Sequence, residues 1–116
     1  MKIALLVLLF SSLAWGKDTD VSSVGLDMIN KYKHIIYQKE KKFSQKTLTV
    51  RVNEPVVFVN SDPIVHNVFS QAGKHSFNLK AQTPNSASIV KFKYPGKAEI
   101  FCAIHPRMKL IVTIIK

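Results

Sequence analysis

Leu48-Thr49-Val50-Arg51-Val52-Asn53-Glu54-Pro55-Val56-Val57-Phe58-Val59-Asn60 decides the architecture. Leu48, Val50 and Val52 alternate with Thr49, Arg51 and Asn53, the period of a strand with one wet face. Asn53-Glu54-Pro55 interrupts the alternation. Val56 to Val59 is an unbroken apolar run, rich in β-branched residues, and reads as a second, more fully buried strand. Asn60-Ser61-Asp62-Pro63 then supplies a strong turn signal.

The same grammar extends in both directions. His34-Ile35-Ile36-Tyr37 reads as a strand, and Phe43 as an apolar anchor after a charged stretch. Val65 to Ser70 and Ser76 to Leu79 are shorter candidates. Ser88, Val90 and Phe92 alternate with Ile89 and Lys91. Tyr94-Pro95-Gly96-Lys97 is a turn, and Ala98 to Cys102 and Leu110 to Ile115 are the last two strands. About eight short strands separated by close turns predict an all-β sandwich or barrel. Nothing after residue 30 sustains a helical period. Val21, Val24, Met28 and Ile29 have helix-like spacing, so residues 17–31 read as a lead-in holding at most a short helix, and residues 32–116 as the domain.

Residues 1–16 have the three parts of an export signal in order. Lys2 is the basic start, Ile3 to Phe10 an apolar run, and Ala14-Trp15-Gly16 a small-residue cleavage site. The run is well short of the ~18 residues a membrane span needs. A cleaved signal peptide and a periplasmic protein are expected. Removing sixteen of the 116 residues leaves 100, and loss of Lys2 lowers the formal charge from +10 to +9. One Cys excludes an internal disulfide, a zinc ribbon, a Cys-x-x-Cys redox pair and a two-cysteine copper centre. Lysines cluster at Lys39, Lys41, Lys42 and Lys46, and again at Lys91, Lys93 and Lys97. Solvated strand faces account for such runs. Export and the lack of a recognition motif argue against nucleic acid as the partner.

Chemistry concentrates in Cys102-Ala103-Ile104-His105-Pro106-Arg107-Met108. Thiolate, imidazole and thioether within seven residues suit zinc poorly. They suit copper, for which a His2Cys set with a weak Met is a known electron-transfer arrangement. A second histidine is required, and His66 follows the Asp62-Pro63 turn at the end of a buried strand. Pro106 biases His105 toward extended angles and stiffens the loop. His34 and His75 have no ligand partners at useful spacing and read as solvated surface residues.

Val65-His66-Asn67-Val68 together with Cys102-x2-His105-Pro106-x-Met108 resembles the type 1 blue copper proteins, the cupredoxins, and within them is most similar to the amicyanins and plastocyanin-like proteins. The resemblance runs from about Ile35 to the C-terminus, and includes Phe43-Ser44, Leu48-Thr49-Val50 and the Pro95-Gly96-Lys97 turn. It implies a Greek-key β-sandwich with one copper ion per chain. It implies His66, Cys102 and His105 as equatorial ligands and Met108 as the axial one. Asn67 would donate its backbone N–H to the Cys102 sulfur and tie the two ligand loops through its side chain. Asn53-Glu54 stands where the family usually has Gly, and Asn tolerates the left-handed angles such a turn needs. Arg107 stands where the amicyanins have an aromatic residue, so their partner methylamine dehydrogenase is not carried over.

The resulting expectation is a monomeric periplasmic carrier of single electrons, not an enzyme. It would meet a redox partner, such as an acidic cytochrome or dehydrogenase, near His105. Copper sequestration or delivery is the alternative. A Cys–His hydrolase is disfavoured, since His105 is poorly placed as a base and no orienting third residue is evident.

Overall fold

The two strands of the quoted stretch part at Asn53 and enter different sheets. Asn53 adopts φ 67°, and its N–H donates to the carbonyl of Phe92 (2.8 Å). The Glu54 carboxylate accepts from the Arg51 N–H (2.6 Å) and stands 3.1 Å from His34 Nε2. A left-handed residue and a local carboxylate thus reverse the chain with no glycine.

The computed structural model describes residues 30–116. The expected signal peptide and nearly all of the expected lead-in lie outside the described residues. Tyr32–Lys116 forms one compact unit. It has nine strands: β1 (His34–Lys39), β2 (Lys42–Phe43), β3 (Thr47–Arg51), β4 (Pro55–Asn60), β5 (His66–Ser70), β6 (Phe77–Gln82), β7 (Ala87–Lys91), β8 (Gly96–Phe101) and β9 (Lys109–Ile115). They form a four-stranded sheet in the order β2-β1-β4-β7 and a five-stranded sheet in the order β3-β9-β8-β5-β6. The pairs β1–β4 and β3–β9 are parallel; the others are antiparallel. The fold is the expected cupredoxin-like β-sandwich. Its ninth strand is the two-residue β2, too short to show a period.

Alternation places the core. Ile36, Val50, Phe58, Val68, Ile100, Leu110 and Val112 are buried between the sheets, and Phe43 packs edge-on to Phe58 at 6.3 Å. Each such side chain contributes about 1.5–3 kcal/mol by leaving water. In β4, Val56, Val57 and Phe58 are all buried, as its unbroken apolar run requires of a strand between two neighbours.

Two histidines depart from the surface placement expected of them. His34 is buried beside Glu54. His75 is half-buried, edge-on to Phe92, and so close to Gly96 that a Cβ there would meet its Nε2 at 3.0 Å. Gly96, at φ 135°, is the residue that admits this approach.

The Arg51 amide first, and then His34, hold the Glu54 carboxyl below its ordinary value of 4.5; slight burial acts the other way. A depressed carboxylate adds stability above its unfolded pKa and loses it as pH falls through its folded pKa. Glu54→Gln is therefore expected to flatten the acid limb of stability below pH 4.5. Thermal melts from about pH 6 down to about pH 3 measure this, and parallel curves for parent and variant would contradict it.

Candidate metal centre

Four segments meet at one end of the sandwich: the β1–β2 turn, the β4–β5 connection, the start of β5 and the β8–β9 loop. Phe101 and Lys109 are paired in register. Cys102 and Met108 therefore step off the facing ends of β8 and β9, with a five-residue loop between them. That loop is closed by the Met108 N–H, which donates to the carbonyl of His105 (2.9 Å). Cys102 and Met108 are each 1% exposed, and His105 is half-exposed.

His66 opens β5 and is fully buried. Its Nδ1 lies 3.9 Å from Cys102 Sγ, and His105 Nδ1 lies 3.8 Å from the same sulfur. The three donor atoms all fall within 4.8 Å of one another, and the two imidazoles stand 4.9 Å apart at 69°. Metal bonds of roughly 2.0–2.3 Å in a trigonal plane separate their donors by about 3.7 Å. The cluster is thus sized for one ion. One cysteine sulfur, two imidazoles and the buried thioether of the same loop fit copper.

Asn67 holds the two halves together. Its backbone N–H donates to Cys102 Sγ (3.3 Å), and its Oδ1 accepts from the Ala103 N–H (3.2 Å). Its Nδ2 donates to the Lys80 carbonyl (3.0 Å) and to Asn78 Oδ1 (2.9 Å). Those contacts cap an irregularity between β5 and β6, where Lys80 at φ 63° is the extra residue. Such bulges re-aim the residues around them. Here the bulge fixes Asn67 with its amide toward the sulfur.

Asp62, whose sequence context signals only a turn, belongs to this centre. It is buried, and its Oδ2 lies 2.6 Å from His66 Nε2. Burial alone would raise its pKa; hydrogen bonds from His66 and from the Lys41 and Glu40 amides outweigh that and hold it below its ordinary value. An ionised carboxylate only accepts, so Nε2 carries the hydrogen and Nδ1 is the nitrogen that faces Cys102. Partial burial first, and then the nearby His66 and Lys41, lower the His105 pKa below its ordinary value, against the pull of Asp62. A lowered pKa favours His105 as the neutral imidazole that a metal needs.

Around His105 the surface is apolar with a basic edge. Lys41, Ile104, His105, Pro106 and Arg107 line a hollow of about 270 Å³. Ile104 is 54% exposed, and Pro63, Ile64 and Val65, which lead into His66, are also exposed. Lys109 is drawn 3.5 Å from Glu99. The cation that stands beside the histidine with Arg107 is therefore Lys41.

Comparison with known proteins agrees with this geometry. No family model matches the chain. Amicyanin of Paracoccus versutus is 27% identical over 74 residues, which cover 61% of this chain. The chain spans about half the length of that relative, 56%. A reduced tryptophan-to-tyrosine mutant of amicyanin superimposes with a TM-score of 0.65 at 23% identity, covering 69% of this chain and 79% of that one. A Cu-containing nitrite reductase from Thermus scotoductus SA-01 gives 0.66 at 23% identity, covering 72% of this chain and 22% of that one. The chain is a cupredoxin in fold, and its sequence similarity is to amicyanin.

Proposed function

We propose that this chain is an exported, periplasmic carrier of single electrons rather than an enzyme. The observation that carries the reading is the convergence of His66 Nδ1, Cys102 Sγ and His105 Nδ1 under the Asn67 amide. In this reading His66, Cys102, His105 and Met108 would hold the copper. Copper held there would supply a one-electron Cu(I)/Cu(II) couple.

The protein's own residues do the rest. His66 and Cys102 exclude water, since both are buried. Loop closure by the Met108 amide and stiffening by Pro106 resist movement between oxidation states. His105, half-exposed among Ile104 and Pro106, is the electron port. A small apolar face of this kind suits a partner that must leave quickly. The buried sulfur and histidine favour retention over delivery, which needs an exchangeable site. The visible spectrum of the mature protein with Cu(II) tests the reading. An intense blue thiolate-to-copper band is expected, and a colourless complex would overturn it.

Lys41 and Arg107 favour a partner with an acidic docking face. Electron exchange with an acidic cytochrome is expected to slow as salt rises from about 0.01 M to about 0.15 M, because exposed charges are screened. Stopped-flow traces measure this. A rate independent of salt would remove the two cations from docking.

A further inference from the structure

The Asp62 carboxylate is engaged on every side. Oδ1 accepts from the Glu40 N–H (2.6 Å), and Oδ2 accepts from the Lys41 N–H (3.0 Å) and faces His66 Nε2 (2.6 Å). The Asp62 N–H itself donates to Asn60 Oδ1 (2.9 Å). Glu40 and Lys41 form the two-residue β1–β2 turn, at φ 54° and 58°. Tight hairpins favour two left-handed residues, but the usual occupants are Asn, Asp and Gly. A Glu-Lys turn costs backbone strain, which the two amide bonds to Asp62 offset. The same carboxylate therefore holds a strained turn and a buried imidazole.

We propose that Asp62 is the positioning residue of the metal centre: its carboxylate fixes His66 as the Nε2–H tautomer, aims Nδ1 at the site, and anchors that histidine to the Glu40–Lys41 turn beside the electron port. This rests on the copper reading above for its redox consequence and stands without it for the tautomer. A carboxylate behind a ligating imidazole makes the nitrogen a stronger donor. Strong donation favours Cu(II) over Cu(I), so Asp62 lowers the reduction potential. It also makes the turn that carries Lys41 part of the site's scaffold.

Two variants test this, one isosteric and one truncated. In the metal-free parent, at a pH high enough to leave the imidazole neutral, 15N NMR should show the hydrogen of His66 on Nε2. Asp62→Ala should give a tautomer mixture and shift the Glu40 and Lys41 amide signals. In the copper-loaded protein, Asp62→Asn, which keeps the shape and loses the charge, should weaken Cu(II) about 10-fold more than Cu(I). For one electron that ratio is a rise of about 59 mV. An unchanged tautomer in Asp62→Ala, or an unchanged potential in Asp62→Asn, overturns the proposal. If Asp62→Ala does not fold, the Asp62→Asn potential decides alone. A parent that stays colourless with Cu(II) while Asp62→Ala still scrambles the tautomer sinks the copper reading and leaves the positioning role.

Discussion

Cys102→Ser is expected to leave the copper-loaded protein without its intense visible absorption. The band would arise from charge transfer out of a thiolate, and Cys102 is the sole sulfur of that kind in the sequence. An alcohol is not ionised near neutral pH and is a hard donor, a poor match for Cu(I). The loss should be complete rather than graded. Copper affinity should fall by more than the roughly 100-fold that loss of even a supporting residue can cost. The fold should persist, since the replacement is nearly isosteric and a buried hydroxyl costs about 1–3 kcal/mol. Absorption spectra and thermal melts on the same samples separate the two effects. A variant that keeps the band would place the chromophore elsewhere. His34 is not a substitute ligand, because it opens β1, whereas the Glu40–Lys41 turn at the metal centre follows the other end of that strand.

Why Cys102 could be found from sequence, and Asp62 could not, is a matter of range. Cys102, His105 and Met108 fall in one short loop, so their chemistry is visible before any folding. The strands around them are legible for the same local reason: alternation in Leu48–Val52 and an apolar run in Val56–Val59 are each complete within a few residues. His66 required one further step, that a sandwich brings a β4–β5 connection to the end where β8 stops. The role of Asp62 depends on amides 21 and 22 residues away. Its sequence context announces only a turn. His34 reads as a surface residue for the same reason, since its partner Glu54 is 20 residues distant. The bulge at Lys80 has no glycine to mark it and is stabilised by Asn67 from the neighbouring strand.

Asn60→Ala is expected to destabilise the domain by about 3–5 kcal/mol, the largest loss of stability foreseen for a single polar residue here. Asn60 is fully buried. Its Nδ2 donates to the carbonyls of Ile64 and Gln82 (both 2.8 Å), and its Oδ1 accepts from the Asp62 N–H (2.9 Å). Gln82, in turn, donates to the Phe58 carbonyl (2.8 Å) and accepts from Gln38. One amide thus links β4, β6 and the connection that delivers His66. Alanine strands two carbonyls and one N–H, and each buried orphan costs about 1–3 kcal/mol. Partial relaxation keeps the sum below simple addition. A domain of this size has about 5–15 kcal/mol to lose, and the melting temperature should fall by about 15–25 °C. The same change frees Asp62, so the effect should be larger with copper bound. Binding adds stability in proportion to the logarithm of affinity, and a loosened His66 lowers that affinity. Denaturant titrations of the metal-free and copper-loaded forms measure both parts. Equal losses in the two forms would confine Asn60 to the fold. A loss under about 1 kcal/mol in either would mean that water replaces the network.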